Sequence, residues 1–340
     1  MRKLMTIAMM VAAMAAFSQM QITKNKVLGG AAFGYLMTTV EDAAGDDVTD
    51  ATTAFQIPAV DYLLEAKPND MFKLYLYGGI GYYMAKNTVD GDTPPNGDCY
   101  ASDLSFYLNP MAKGYFANNL FAKLALPYNY DSVTGQDEDA DALAESSLDF
   151  VLSGGFDNRE IEMHGLTPWD KFEKGMAFYA VYDMGVMGSF DYIDPVTGDT
   201  ETEDDPELPS YFGVEGFYAH MMDGNMMLKP YLTYKMGMNE DADPDSYMNI
   251  GVEFAKDFNE QMNLEAGLNF GMWMLDDADA VGSDEDSYNY LDVDAQFNYY
   301  VMPELDVYGA LGVAMDLTTE DDNPNYLFGL GAVYTMNLLK

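Results

Sequence analysis

The chain has 340 residues, with 16 Lys+Arg against 57 Asp+Glu and a formal net charge of −41. That charge excludes a general nucleic-acid binder, whose affinity comes from setting cations against phosphates. Disorder is excluded too, because 14% of the residues are aromatic and 49% are hydrophobic.

Positions 1–18 come first. Arg2 and Lys3 form a short basic region, Leu4 to Phe17 is apolar but for Thr6, and Ala16-Phe17-Ser18 offers small residues at −3 and −1 of a cleavage site. The pattern predicts a secretory signal removed after Ser18, leaving one mature domain at 19–340. Beyond it, no apolar run approaches the eighteen or so residues of a helical span. An exported, apolar chain with no such run predicts a closed antiparallel transmembrane β-barrel, whose strands carry their apolar half by alternation.

From Ile22 onward one unit repeats: an alternating run, a short turn, a second run, then a long acidic connection. We expect strands near 22–40, 54–66, 71–86, 102–116, 120–130, 146–163, 175–192, 210–222, 226–239, 247–258, 262–275, 288–301, 305–317 and 326–339. That is fourteen, and an even number suits antiparallel closure. Alternation is clearest late in the chain. Leu264, Ala266, Leu268, Phe270 and Met272 share one face, and Glu265, Gly267, Asn269 and Gly271 the other. In the last run, Tyr326, Phe328, Leu330, Ala332, Tyr334, Met336 and Leu338 share a face that suits lipid.

The connections are of two kinds. Short turns are expected at 68–70, 117–119, 223–225, 259–261 and 302–304, with a longer member at 164–174 that holds Trp169. Longer loops are expected at 41–53, 87–101, 131–145, 193–208, 240–246, 276–287 and 318–325. The loops together hold 34 acidic residues and no Lys or Arg. Cations collect instead near the turns, among them Lys73, Lys113, Lys123, Arg159 and Lys229. Barrels of this kind turn their short connections to the periplasm and their long ones outward, so both termini are expected in the periplasm. Two aromatic girdles are also expected. Tyr82, Tyr128, Tyr130, Tyr192, Tyr211, Tyr247, Tyr288 and Tyr326 make the loop side, and Phe72, Phe116, Phe121 and Phe258 the turn side.

By this architecture, from Ile22 to Leu339, the chain resembles bacterial outer-membrane β-barrel proteins and, more loosely, monomeric fourteen-stranded porins. The resemblance implies an outer-membrane location, lipopolysaccharide and bilayer as surroundings, and insertion by outer-membrane assembly machinery. Lys340 stands where such barrels usually end on an aromatic residue. No plug region like that of the fatty-acid transporters, which are similar in strand number, precedes the first strand.

Little speaks for catalysis. The only histidines, His164 and His220, lie toward the turn side, and a Ser-His-Asp or zinc arrangement has no partners there. Cys99 is single and cannot form an internal disulfide. Nothing calls for a cofactor. Asp137, Asp139 and Asp141, and again Asp241, Asp243 and Asp245, show calcium-loop spacing. Neither set has the Gly and Glu that complete an EF-hand, so only weak, diffuse calcium binding is expected.

The expected function is a passive channel for small hydrophilic solutes that prefers cations. Its lumen would be lined by Lys229, Tyr231, Lys235, Glu253, Glu265, Asp292 and Asp294. Its outer rim would carry Asp137, Asp139, Asp141, Glu203, Asp204, Asp205, Asp241, Asp243, Asp245, Asp284, Glu285 and Asp286. The alternative is a surface or adhesion barrel with a closed lumen, whose acidic loops bind Ca²⁺.

Overall fold

The computed structural model describes residues 21–41, 47–69, 71–89, 99–116, 119–134, 143–159, 174–193, 200–204, 208–222, 225–239, 245–274, 287–318 and 324–339. The signal segment, His164, Trp169, Asp137, Asp139, Asp141, Asp205, Asp241, Asp243, Asp284, Glu285 and Asp286 lie outside them.

Sixteen strands follow in order: β1 (Gln21–Glu41), β2 (Asp47–Asn69), β3 (Phe72–Val89), β4 (Cys99–Tyr115), β5 (Leu120–Ala125), β6 (Tyr128–Thr134), β7 (Leu143–Asp157) and β8 (Gly175–Ile193). Then come β9 (Thr200–Asp204), β10 (Ser210–Met222), β11 (Met226–Gly237), β12 (Ser246–Asn259), β13 (Met262–Met274), β14 (Ser287–Met302), β15 (Leu305–Asp316) and β16 (Asn325–Asn337). Every pairing is antiparallel, and Lys26 to Met37 of β1 pair with Asn337 to Tyr326 of β16, which closes the sheet.

Sixteen strands make fourteen staves. β5 and β6 both pair with β4 on one edge and β7 on the other, so they are two halves of one stave. Pro127 divides them, since it has no N–H to give to the ladder. Its carbonyl still accepts from Asp149 N at 2.9 Å, and Leu126 N donates to Pro110 O at 3.1 Å. The second division is at β9. Ser189 and Phe190 of β8 pair with β7 on one edge and with Asp204 and Glu203 on the other. That second edge is the one β10 occupies lower down, from Met184 to Gly175. β9 therefore continues the stave whose ladder β10 takes up at Ser210. Fourteen strands about 4.8 Å apart, tilted, close into a ring roughly 25 Å across.

The strands exceed expectation at the loop end. β2 begins at Asp47 rather than 54, β3 runs to Val89, and β6 reaches Thr134. Cys99, expected in a loop, opens β4, and Thr200–Asp204 is strand inside an expected loop. Ladder hydrogen bonding carries on past the apolar band because these extensions are rich in Thr, Val and Ala, which suit a pleated sheet or tolerate it. At the other end, turn chemistry is local. Asn119 and Asn225 take left-handed φ of 61° and 56°, which asparagine tolerates. Asn69 and Asn259 each accept a backbone N–H two residues on, from Met71 at 2.9 Å and Gln261 at 2.8 Å.

The register assigns faces. Leu330, Phe178, Phe328 and Leu311 point outward with 62%, 59%, 56% and 54% exposure, in a belt of apolar side chains far larger than a soluble surface carries. The inward face carries the buried polar groups, including Glu65, Lys113, Asp157, Asn263, Asn298 and Asp306. The girdles need correction: Phe121, expected on the turn side, is buried on the inner face against Lys113 and Tyr179. Of the tyrosines assigned to the loop-side girdle, Tyr211, Tyr247 and Tyr288 share the inward face. There the Tyr211 and Tyr247 rings lie 6.3 Å apart, and the Trp273 ring lies 5.8 Å from Tyr288, tilted, and 5.9 Å from Tyr290, edge to face. A tyrosine suits either a membrane interface or a wet wall, so its type alone did not fix its face.

Candidate functional site

The inner wall is held together by side chains that reach across an intervening strand. Tyr231 of β11 donates from its hydroxyl to Asn269 Oδ1 of β13 at 3.0 Å, over Gly251 of β12. Tyr290 of β14 donates to Asn249 Oδ1 of β12 at 2.8 Å, over Gly271 of β13. Tyr107 of β4 donates to Asp61 Oδ1 of β2 at 2.6 Å, over Gly79 of β3. In each case a Cβ on the glycine would collide with the tyrosine ring. The missing side chain is a notch that lets the ring lie flat along the wall instead of standing into the lumen. Closing the backbone approach in this way is a known use of glycine in strands.

On β11 to β14 the wall forms a recess of about 310 Å³ lined by Tyr231, Glu253, Glu265, Asn269 and Asp294, with Gly267 at its floor. Lys229 lies beside it, 3.1 Å from Glu253 Oε2. Asn298 donates to Glu265 Oε1 at 3.2 Å and to Asn263 Oδ1 at 3.3 Å. Gln296 donates to Asn298 Oδ1 at 2.7 Å, and Asn263 to Asp257 Oδ1 at 2.8 Å, so amides crosslink the wall toward the turns. Although it faces inward, the Glu253 side chain is 45% exposed. Water therefore has room inside the ring.

The lysines occupy another sector. Lys73, Lys113 and Lys123 pair side by side across β3, β4 and β5, in line on the inner face. Lys113, 3% exposed, donates to Asp157 Oδ2 at 2.5 Å, and Arg159 meets the same oxygen at 2.7 Å. Aromatic rings sit beneath these cations. Lys113 lies 4.9 Å from the Tyr115 ring and 4.5 Å from Phe121, Lys73 is 5.4 Å from Tyr115, and Lys123 is 6.0 Å from Tyr179. Farther round, Arg159 and Lys229 both approach Phe217, at 5.0 and 4.8 Å.

Lys229, Tyr231, Lys235, Glu253, Glu265, Asp292 and Asp294 all share the inward face by register. The recess brings Tyr231, Glu253, Glu265 and Asp294 together, whereas Lys235 is tied elsewhere, 3.6 Å from Asp183 of β8. The bridging tyrosines and their glycine notches escaped sequence reasoning. Their only trace is Tyr, Gly and Asn or Asp on three strands, and it becomes a signal once the register is known. Of the rim set, Asp245 is exposed, and Glu203 and Asp204 belong to β9, their backbone alone being described. His220, at the turn end of β10, faces outward and stacks on Tyr218 at 5.9 Å. Among the described residues, no group of His, Cys, Asp or Glu is arranged to hold a metal ion.

No family model and no curated protein matches the chain. Solved structures do. A monoaromatic hydrocarbon channel, the TodX deltaS2S3 mutant, superimposes with a TM-score of 0.52 at 10% identity, over 93% of this chain and 91% of that one. The Pseudomonas putida toluene transporter TodX gives 0.50 at 9% identity, over 93% and 90%. At such identities the likeness speaks for architecture alone. The chain is a closed, fourteen-stave antiparallel β-barrel with the fold of bacterial outer-membrane barrels.

Proposed function

We propose that this barrel is an outer-membrane channel for passive diffusion of small hydrophilic solutes, with a preference for cations. The observation that carries the reading is the inner wall. It is charged and hydrogen-bonded, it keeps an inward carboxylate 45% exposed at Glu253, and it holds its tyrosines flat in glycine notches. Each described segment is a strand of the ring or a turn or loop stub attached to one. A polar wall of this kind suits hydrated solutes better than the monoaromatic hydrocarbons named for the neighbouring channel.

Cation preference rests on charge. Asp61, Asp183, Glu215, Asp292 and Asp294 sit above the lysine row, and the connections expected as loops, whose flanks are partly strand, add 34 carboxylates with no Lys or Arg. Such a field concentrates cations and repels anions at the mouth, and salt screens it over about 8–10 Å at ordinary ionic strength. On this reading the long connections face outward, the termini face the periplasm, and the outward apolar belt meets lipid and lipopolysaccharide. Proteoliposome swelling tests the reading. Vesicles holding the protein should swell in isotonic arabinose at a rate that grows with protein content, and swelling equal to empty vesicles would refute it.

A further inference from the structure

Near the loops, the aromatic rings of the inner wall on β10, β12, β13 and β14 gather into two corners. In the first, the Tyr211 and Tyr247 rings lie 6.3 Å apart at 70° to one another. In the second, Trp273 meets Tyr290 at 5.9 Å and 84°, and Tyr288 at 5.8 Å and 56°. Trp273 stays 39% exposed there, on the inward face. Each corner has a carboxylate beside it. Asp183 pairs with Tyr211, and Asp316 pairs with Tyr290, so acid and ring share the inward face in both. The first corner is served from within the chain, since the Lys235 ammonium lies 5.6 Å from the centre of the Tyr247 ring and 3.6 Å from Asp183. The second corner repeats the aromatic and acidic parts on strands that carry no lysine. From Asp257 to Leu339 the sequence holds neither Lys nor Arg.

We propose that the second corner, formed by Trp273, Tyr288, Tyr290 and Asp316, is a binding site for organic cations with a quaternary ammonium head. A positive group over an aromatic face is attracted by the ring quadrupole, and aromatic cages are the common means of holding alkylated ammonium groups. Rings set at 56° and 84° to Trp273 present walls to a rounded head, where coplanar rings would instead suit the flat face of a sugar. Asp316 adds a charge of opposite sign, and its Oδ1 accepts from Thr318 N at 2.7 Å, which fixes the carboxyl group at the end of β15. The acidic connections around the mouth raise the local concentration of any cation that approaches. The first corner holds an ammonium of the chain by the same combination of tyrosine ring and aspartate. This inference goes beyond the channel reading, for it needs only that solutes reach the inner wall from the loop side.

Isothermal titration calorimetry of the detergent-solubilised protein at low salt tests it, with choline and with 3,3-dimethylbutan-1-ol, which has the same shape and no charge. Choline should bind at least about tenfold tighter than the alcohol, because only the cation is attracted by the rings and by Asp316. Trp273→Leu should weaken choline binding at least about fivefold. Asp316→Asn should weaken it too, while leaving the alcohol unchanged. The first variant alters a lumen-exposed side chain and the second is nearly isosteric, so a folding defect in one leaves the other to decide. Equal affinity for the two solutes, no choline binding by the wild type, or choline affinity unchanged in both variants would overturn the proposal. Choline binding by a protein that gives no conductance steps would refute the channel reading and leave this site standing. Conductance without choline binding would do the reverse.

Discussion

Replacing Asp157 by Ala is the sharpest test of how the turn end of the wall is held. Lys113 is 3% exposed and Asp157 2%, with 2.5 Å between Nζ and Oδ2, and Arg159 shares that oxygen at 2.7 Å. Removing one partner of a buried pair costs about 3–5 kcal/mol, because the other charge is left without compensation. Lys113 would keep its approaches to Tyr115 and Phe121, each contributing roughly 0.5–1 kcal/mol. Arg159, 13% exposed, can turn toward water. The net loss should be about 2–4 kcal/mol, roughly a 30- to 700-fold fall in the ratio of folded to unfolded protein. Urea unfolding in lipid vesicles, followed by fluorescence of the inner-wall Trp273, would measure it. The double variant Lys113→Met with Asp157→Leu should recover most of the loss, since removing both charges leaves neither stranded. A single variant within about 0.5 kcal/mol of the wild type would refute the reasoning.

Three further outcomes follow from the same structure. Gly271→Val fills the notch beneath Tyr290, so the ring must leave the wall and its hydrogen bond to Asn249. We expect a loss of about 1–3 kcal/mol in urea unfolding together with a smaller single-channel conductance, whereas Phe270→Ala on the outer face should leave conductance unchanged. Leu330→Arg places a cation in the outward belt and should destabilise the barrel by about 2–4 kcal/mol if that belt lies at the bilayer midplane, measured by the same unfolding assay. Mass spectrometry of protein recovered from outer membranes should find a chain that begins at Gln19, and a retained Arg2 and Lys3 would contradict the signal reading.

The barrel was legible in the sequence because alternation is a local property. Leu264 to Met272 and Tyr326 to Leu338 declare their two faces without reference to any neighbour, and Asn119 and Asn225 mark their own turns. What lay beyond sequence was register. Lys73, Lys113 and Lys123 could each be placed low on a polar face, but their alignment across three strands depends on which residues pair. The same holds for Tyr231, Gly251 and Asn269, which are distant in the chain and consecutive only across the wall. Proline added a second difficulty. Pro127 splits a stave that still behaves as one, and Pro209 stands just before β10, its carbonyl accepting from Gly185 N at 3.1 Å. Tyr211, Tyr247 and Tyr288 were misplaced for a chemical reason, since a phenol ring is at home both at a lipid interface and against water.

On the channel reading, charged residues line a continuous aqueous path through this ring. Purified protein in a planar bilayer under a tenfold KCl gradient tests it most directly. We expect discrete conductance steps and a reversal potential displaced toward that of K⁺, with the displacement shrinking as salt rises on both sides. Absence of steps, or a reversal potential displaced toward that of Cl⁻ at low salt, would contradict it.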